Sequence, residues 1–400
     1  MKYNFDEVVD RSNTNSMKVQ GSREYLFPNN LDINYLVSDE EMVKMWVADM
    51  EFATPQVIID KVKERLDRRI FGYTKIFDEG YYEAFKDWTN RRYGWHCNKE
   101  DLVTSPGIIP ALYELAALIL AEGEKIITFT PAYGFFLHTA THVNRELVCS
   151  SLVKDNNGKM VIDFADFRKK AEDPKVKMLL LSNPHNPNGI IWTKEQLIEI
   201  EKICRENNVW IISDEIHCDL LRTGKQHIPM AKLASDNDMI VTCMSPSKSF
   251  NMAGLMLSNI VIPNKELMKK WKETHYDMEN PLSVVAIQAA YAEGEDWLKE
   301  MLLYLDKNFE FLASFLKEKL PEAKFEIPDA TYLAWIDLSA YFKDDSIDLA
   351  EFFAEKAGVL LEAGNQFVKD GEGYVRLNLA CPKAMLEDAL NKVCKAIEMM

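Results

Sequence analysis

No apolar run in this 400-residue chain reaches the ~20 residues that a bilayer-spanning helix requires. The longest helical apolar stretch, Ile108 to Ala121, is too short and is interrupted by Glu114. No Cys-x-x-Cys pair occurs, and the seven cysteines, at 97, 149, 204, 218, 243, 381 and 394, are odd in number. That suits a reducing compartment better than a disulfide framework, and most of them sit in apolar runs expected in the core. Basic charge is short as well: 47 Lys and Arg against 63 Asp and Glu leave a formal net charge of -16. Nucleic-acid and anionic-membrane partners need a clustered basic surface, so neither is expected. The opening MKYNFDEVVDRSNTNS has no charged leader followed by an apolar stretch, so no signal peptide is expected and the location read is cytoplasmic. Walker, GxSxG and GxGxxG patterns are missing, which removes support for nucleotide and serine-hydrolase chemistry. His138 and His142 stand four apart on an expected helix, but with no zincin glutamate and no third ligand, so no metal is expected.

What is present is a large hydrophobic share, 47%, enough for a sizeable core and more than one domain. Residues 1–50 have little periodicity and read as an arm. Helices are expected from Pro55 to Arg69 and from Gly80 to Tyr93. From 101 to about 275, apolar runs at 125–129, 146–153, 176–181, 209–213, 240–244 and 258–262 alternate with helical segments. That alternation predicts an α/β fold with a mostly parallel sheet covered by helices. Asn156-Asn157-Gly158 reads as a hairpin turn, since the further acidic ligands of a calcium loop are missing. After an amphipathic helix from Glu295 to Leu320, the segments FEIPD, TYLAWIDLS, GVLLEAG and GYVRLNLA read as strands of a smaller α+β domain. The division expected is an arm over 1–50, a large domain over 51–290 and a small domain over 291–400.

Three strand ends carry the chemistry. SPSKSFN (245–251) follows the apolar run Ile240 to Met244 and offers Lys248 among small hydroxyl residues. A lone lysine there is ordinarily a solvated turn residue. VWIISDEIH, however, delivers Asp214 at the end of another buried run, and SNPHNPNG offers Asn186 after a third. A lysine for an imine, a carboxylate to keep a pyridine nitrogen protonated and an amide donor near the ring hydroxyl are the set a pyridoxal phosphate (PLP) site needs. SPGIIPAL runs from glycine straight into a helix, so the N–H groups of Gly107, Ile108 and Ile109 form a possible phosphate cradle, which Ser245 and Ser247 could extend. Tyr133 of TPAYGFF stands where an aromatic could lie on a cofactor ring, or simply pack. Arg376, flanked by apolar residues in GYVRLNLA, wants a carboxylate: that of an amino acid, or an internal acid.

In this order, WVADMEF, FGYT, SPGIIPAL, TPAY, SNPHNPNG, SDEIH, SPSKSFNMAGL and VRLNLACP resemble the fold-type I PLP-dependent enzymes of the class I/II aminotransferase superfamily. Within it, they resemble the MalY/PatB-type cystathionine β-lyase branch more than ordinary aminotransferases. The resemblance implies Lys248 as the Schiff-base lysine, Asp214 as the pyridinium partner, Asn186 at the ring hydroxyl and Tyr133 stacked on the ring. It places Gly107, Ile108, Ile109, Ser245 and Ser247 around the phosphate, and Arg376, Asn186 and Ala48 at the substrate. It further implies a homodimer in which Tyr73 of FGYT reaches the neighbouring subunit's phosphate. His217 stands where many aminotransferases have a tyrosine near the ring hydroxyl, and Met256 where many have a phosphate-binding arginine; both suit the lyase branch. Val19 replaces an expected tryptophan, and the stretch from Arg23 to Lys44 departs from the usual spacing.

The activity implied is α,β-elimination on a sulfur amino acid such as cystathionine, giving thiol, pyruvate and ammonia. An aminotransferase shares every step up to the carbanion, and a PLP-binding regulatory or interaction protein is the rival of another kind.

Overall fold

The computed structural model describes residues 2–156, 158–233, 239–344 and 346–400. The chain divides into two compact units: Met1–Ala53 with Pro187–Gly189 and Lys299–Met400, and Thr54–Asn186 with Ile190–Leu298. The first 53 residues contribute two short helices, α1 (Met17–Gln20) and α2 (Ser22–Leu26), and the two-residue strand β1 (Val43–Lys44) to the first unit.

The second unit opens with α3 (Gln56–Leu66) and α4 (Glu79–Tyr93). The Asp78 side chain caps α4 by accepting the Gly80 N–H at 2.9 Å, and Gly94 ends it at φ 59°, a left-handed turn that suits glycine. There follow β2 (Leu102–Ser105), α5 (Ile108–Ile119), β3 (Lys125–Thr130), α6 (Gly134–His142), β4 (Glu146–Lys154), β5 (Met160–Ile162) and α7 (Phe164–Ala171). Next come β6 (Val176–Ser182), α8 (Lys194–Glu206), β7 (Trp210–Asp214), β8 (Ile240–Met244), β9 (Ser258–Val261), α9 (Lys265–Thr274) and α10 (Pro281–Glu293). Helix α8 starts from a capping box between Thr193 and Gln196.

One eight-stranded sheet organises this unit, in the order β2-β9-β8-β7-β6-β3-β4-β5. From β8 through β7, β6 and β3 to β4 every pairing is parallel; β9 runs antiparallel between β2 and β8, and β5 antiparallel at the far edge. Strand β2 therefore shares the sense of β8, and the carboxyl ends of β2, β3, β6, β7 and β8 lie along one rim. Every residue of β8 and all but the first of β7 are buried, which is why these strands read as unbroken apolar runs rather than alternating ones. Strands β4 and β5 pair antiparallel from Leu152 with Ile162 to Lys154 with Met160, as the hairpin reading requires. Asn157 of that turn lies outside the described residues.

Helix α11 (Glu295–Lys319) leads to β10 (Leu333–Asp337), α12 (Leu349–Lys356), β11 (Val359–Leu360), β12 (Glu362–Ala363), β13 (Tyr374–Asn378) and α13 (Lys383–Glu398). In the first unit β10-β13-β12 form an antiparallel sheet, and β1 pairs parallel with β11. Two sequence expectations change here. FEIPD is not a strand: a single bridge from Lys324 to Asp337 precedes it, and Pro328 has no N–H to continue a ladder. GVLLEAG is two strands facing different partners. The core of this unit gathers Trp46, Phe309, Phe353, Leu361 and Leu379.

Among the described residues no helix is long and apolar enough to cross a membrane. Where the chain leaves β12, the backbones of Gly364 and Gly371 pack so closely that a Cβ on Gly364 would overlap the Gly371 carbonyl. Gly364→Ala is therefore expected to lower stability by about 3 kcal/mol or more, read from urea unfolding midpoints.

Candidate active site

The rim of the eight-stranded sheet carries the candidate residues because each stands just past the carboxyl end of a strand. Past β8, the Ser245 hydroxyl donates to the Leu257 carbonyl at 3.1 Å and accepts the Ser247 N–H at 3.2 Å, folding the chain tightly. The Met252 N–H closes the turn on the Ser247 carbonyl at 2.9 Å. Phe250 is fully buried against Trp88 and Trp297, and the Ser249 hydroxyl donates to Asp219 at 3.2 Å. Lys248 is thus half-buried on a turn anchored on both sides.

Asp214 ends β7, in register with Ser182 of β6 and Cys243 of β8, and is 7% exposed. Its carboxylate accepts the Ile216 N–H at 3.1 Å. Burial pushes its carboxyl up to about 7; the Ile216 bond and the Lys248 charge pull the other way but are weaker, and Glu215 adds to the rise. Glu215 itself is satisfied within the protein, by the Ser213 hydroxyl at 2.8 Å, His227 Nε2 at 2.7 Å and the Met230 N–H at 2.9 Å. Beyond β6, Asn186 is buried and its N–H donates to the Ser182 hydroxyl at 3.2 Å; His217, past β7, is buried too.

Past β2, Gly107 takes φ 121° and ψ 164°, a backbone state that suits glycine alone, and caps α5. Its own N–H donates to the Ser105 carbonyl at 2.7 Å. The donors that the helix geometry leaves open are therefore those of Ile108 and Ile109, and Pro110 adds none. The Ser105 hydroxyl, at the end of β2 two residues before Gly107, is buried without a hydrogen-bond partner. Met256 Cε lies 4.0 Å from where a Gly107 Cβ would stand. Past β3, Tyr133 caps α6, its ring 5.3 Å from that of Phe135.

One rim thus gathers Lys248, Ser245, Ser247, Asp214, His217, Asn186, Tyr133, Gly107, Ile108 and Ile109. Tyr73 instead stands on a loop of the same unit, 91% exposed beside the exposed Ile70, Phe71 and Phe77. Arg376 and Ala48 belong to the other unit. The Ala48 carbonyl accepts the Tyr332 hydroxyl at 2.8 Å, and Asn378 holds the carbonyls of Val47 and Asp49. Arg376, 2% exposed, pairs with Glu362 across β13 and β12 and lies over the Phe367 ring. The internal acid left open by the sequence is therefore there.

Sequence reasoning missed Glu362, whose only signal was one acid in an apolar run. It also missed Asp219, 2% exposed, which takes Trp88 Nε1 at 3.2 Å, an ion pair with Arg92 at 2.7 Å, the Tyr93 hydroxyl and Ser249. These partners come from distant segments, so spacing carries no trace of them. Of the two histidines set aside as ligands, His142 stacks on Tyr113 and His138 on Phe135.

The family model for aminotransferase class I and II matches residues 40–393. Cystathionine beta-lyase PatB of Bacillus subtilis is 37% identical over 399 residues, covering 98% of this chain and 100% of that protein. Protein MalY of Escherichia coli is 30% identical over 362 residues, with 89% and 92% covered. A PLP-bound C-S lyase from Staphylococcus hominis, crystallised with the inhibitor L-cycloserine, superposes with a TM-score of 0.95 at 48% identity, covering 99% of this chain and 98% of that one. With a fold of the same type I arrangement and a match along almost its whole length, this chain belongs to the class I and II aminotransferase family.

Proposed function

We propose that the protein is a PLP-dependent carbon-sulfur lyase that performs α,β-elimination on cystathionine or related cysteine S-conjugates, yielding thiol, pyruvate and ammonia. The observation that carries this reading is Asp214, a carboxylate buried at a strand end whose charge calls for a cationic partner, on the same rim as Lys248 and Asn186. The residues fit the cofactor. A pyridinium nitrogen suits Asp214, and a phosphate suits the open Ile108 and Ile109 N–H groups together with the unpartnered Ser105 hydroxyl.

Bound PLP supplies an electron-withdrawing ring that stabilises negative charge at the substrate's α carbon. The protein's own residues do the rest. Lys248 Nζ would anchor the cofactor in the resting enzyme and, once the substrate's amine has displaced it, would be the free amine that takes the α proton as general base. With the cofactor bound, Asp214 would hold a proton on the ring nitrogen, Asn186 and His217 would serve the ring hydroxyl, and Tyr133 would be the aromatic partner of the ring. Gly107 shapes the turn that presents Ile108 and Ile109 to the phosphate, with Ser247 and Ser245 alongside. Arg376 orients the substrate through its α-carboxylate, and Asn186 and Ala48 border the substrate.

We place the chain in a homodimer, Tyr73 reaching the phosphate of the neighbouring subunit, because the exposed aromatic loop around Phe71, Tyr73 and Phe77 needs cover. Seven free thiols fit a cytoplasmic setting.

Purified protein supplied with cystathionine is expected to release thiol and pyruvate with no keto-acid acceptor, and Lys248→Ala to lose roughly 10²–10⁴-fold or more in turnover. Strict dependence on an acceptor would make it an aminotransferase instead. Light scattering should give twice the 46.1 kDa chain mass, and Tyr73→Ala should weaken phosphate-dependent cofactor binding.

Asp214 also sets a pH dependence for cofactor-free protein. Its folded value, about 7, lies above the ordinary 3.8, so ionisation of the unfolded chain erodes stability as pH rises from about 4 to 7, after which the loss levels off. Thermal or urea unfolding of cofactor-free protein should show this loss, on the order of 4 kcal/mol, and Asp214→Asn should flatten it. The same variant should bind cofactor and turn over poorly.

A further inference from the structure

The Arg376 guanidinium is not a lone cation. Arg376 and Glu362 are cross-strand neighbours on β13 and β12, 2% and 3% exposed, and their side chains are paired. The Phe367 ring lies 5.0 Å from the guanidinium and brings no charge. The pair is therefore close to neutral as a unit, in surroundings where charge is poorly screened.

We propose that Glu362 is a specificity-determining residue that favours zwitterionic amino acids over 2-keto acid anions. The inference rests on the assignment of Arg376 to the substrate's α-carboxylate. An amino acid arrives with a carboxylate and an ammonium, net charge zero, whereas a 2-keto acid arrives with net charge -1. An arginine alone attracts both. With Glu362 beside it, an incoming carboxylate meets a second carboxylate on the same guanidinium, and only the zwitterion carries a positive group to offset that repulsion. The consequence bears on the choice between elimination and amino transfer: pyruvate, the product, is held weakly, and keto-acid acceptors are disfavoured before any bond is made.

The test compares inhibition of thioether cleavage by pyruvate with KM for the thioether amino acid, in holoenzyme. In Glu362→Gln the ratio of pyruvate KI to thioether KM is expected to fall about ten-fold; an unchanged or higher ratio overturns the proposal. Glu362→Asn, which leaves room for a water beside the guanidinium, carries the same expectation should the glutamine variant not fold. The unmutated enzyme gives a check free of folding: pyruvate and its uncharged methyl ester should inhibit within about three-fold of one another, and pyruvate inhibiting ten-fold more tightly overturns the proposal. Arg376→Gln separates the two assignments. If it leaves both KM and pyruvate inhibition unmoved, the carboxylate role of Arg376 fails; if it weakens both while Glu362→Gln leaves the ratio unmoved, only the role of Glu362 fails.

Discussion

A carboxylate taken out of water at the end of β7 is the constraint on which the second unit depends. Asp214 has one backbone donor and no cation in hydrogen-bonding contact among the described contacts, and desolvation dominates its titration. A fold retains such a group at a stability penalty unless a bound cation relieves it. The parallel sheet makes that arrangement rigid: with β6, β7 and β8 in register, the loops bearing Asn186, Asp214 and Lys248 leave adjacent strands at one level. Asp219 then ties down the lysine turn by accepting the Ser249 hydroxyl.

The first unit handles charge differently. Arg376 is matched by Glu362, and Lys18, 1% exposed, is matched by Glu51 at 2.7 Å, while Arg11 meets Asp49 at 2.6 Å. Lys18 and Arg11, with Asn378 and Tyr332, fix the segment carrying Ala48 by bonds to its backbone carbonyls. Buried pairs of this kind add little net stability compared with apolar packing, and removing one partner strands the other. Their use is geometric. They hold backbone carbonyls and a guanidinium in place, and at Arg376 the pairing leaves little net charge on the two side chains together.

Much of the fold could be read from local pattern. Buried strands such as β7 and β8 announced themselves as apolar runs, and α4 and α8 carried their capping residues in sequence. FEIPD misled because alternation of apolar and polar residues looks the same with or without a ladder beside it, and Pro328 removes one of the donors. GVLLEAG misled because two edges in different sheets share one run. Gly107 was legible as a turn; that its N–H is consumed by Ser105, leaving Ile108 and Ile109 as the donors, was not.

By itself the sequence determined the residue types of the candidate site and their order along the chain: an amide, an acid and an amine, each after an apolar run, because strand ends and helix starts leave short-range marks. Only the tertiary structure decided which charges are compensated. Asp214 is left needing a partner, Glu215 is satisfied by His227, and Arg376 is shared with Glu362. Charge compensation depends on which side chains meet across strands and on how much water is excluded from between them, and neither quantity is written in the spacing of residues along a chain.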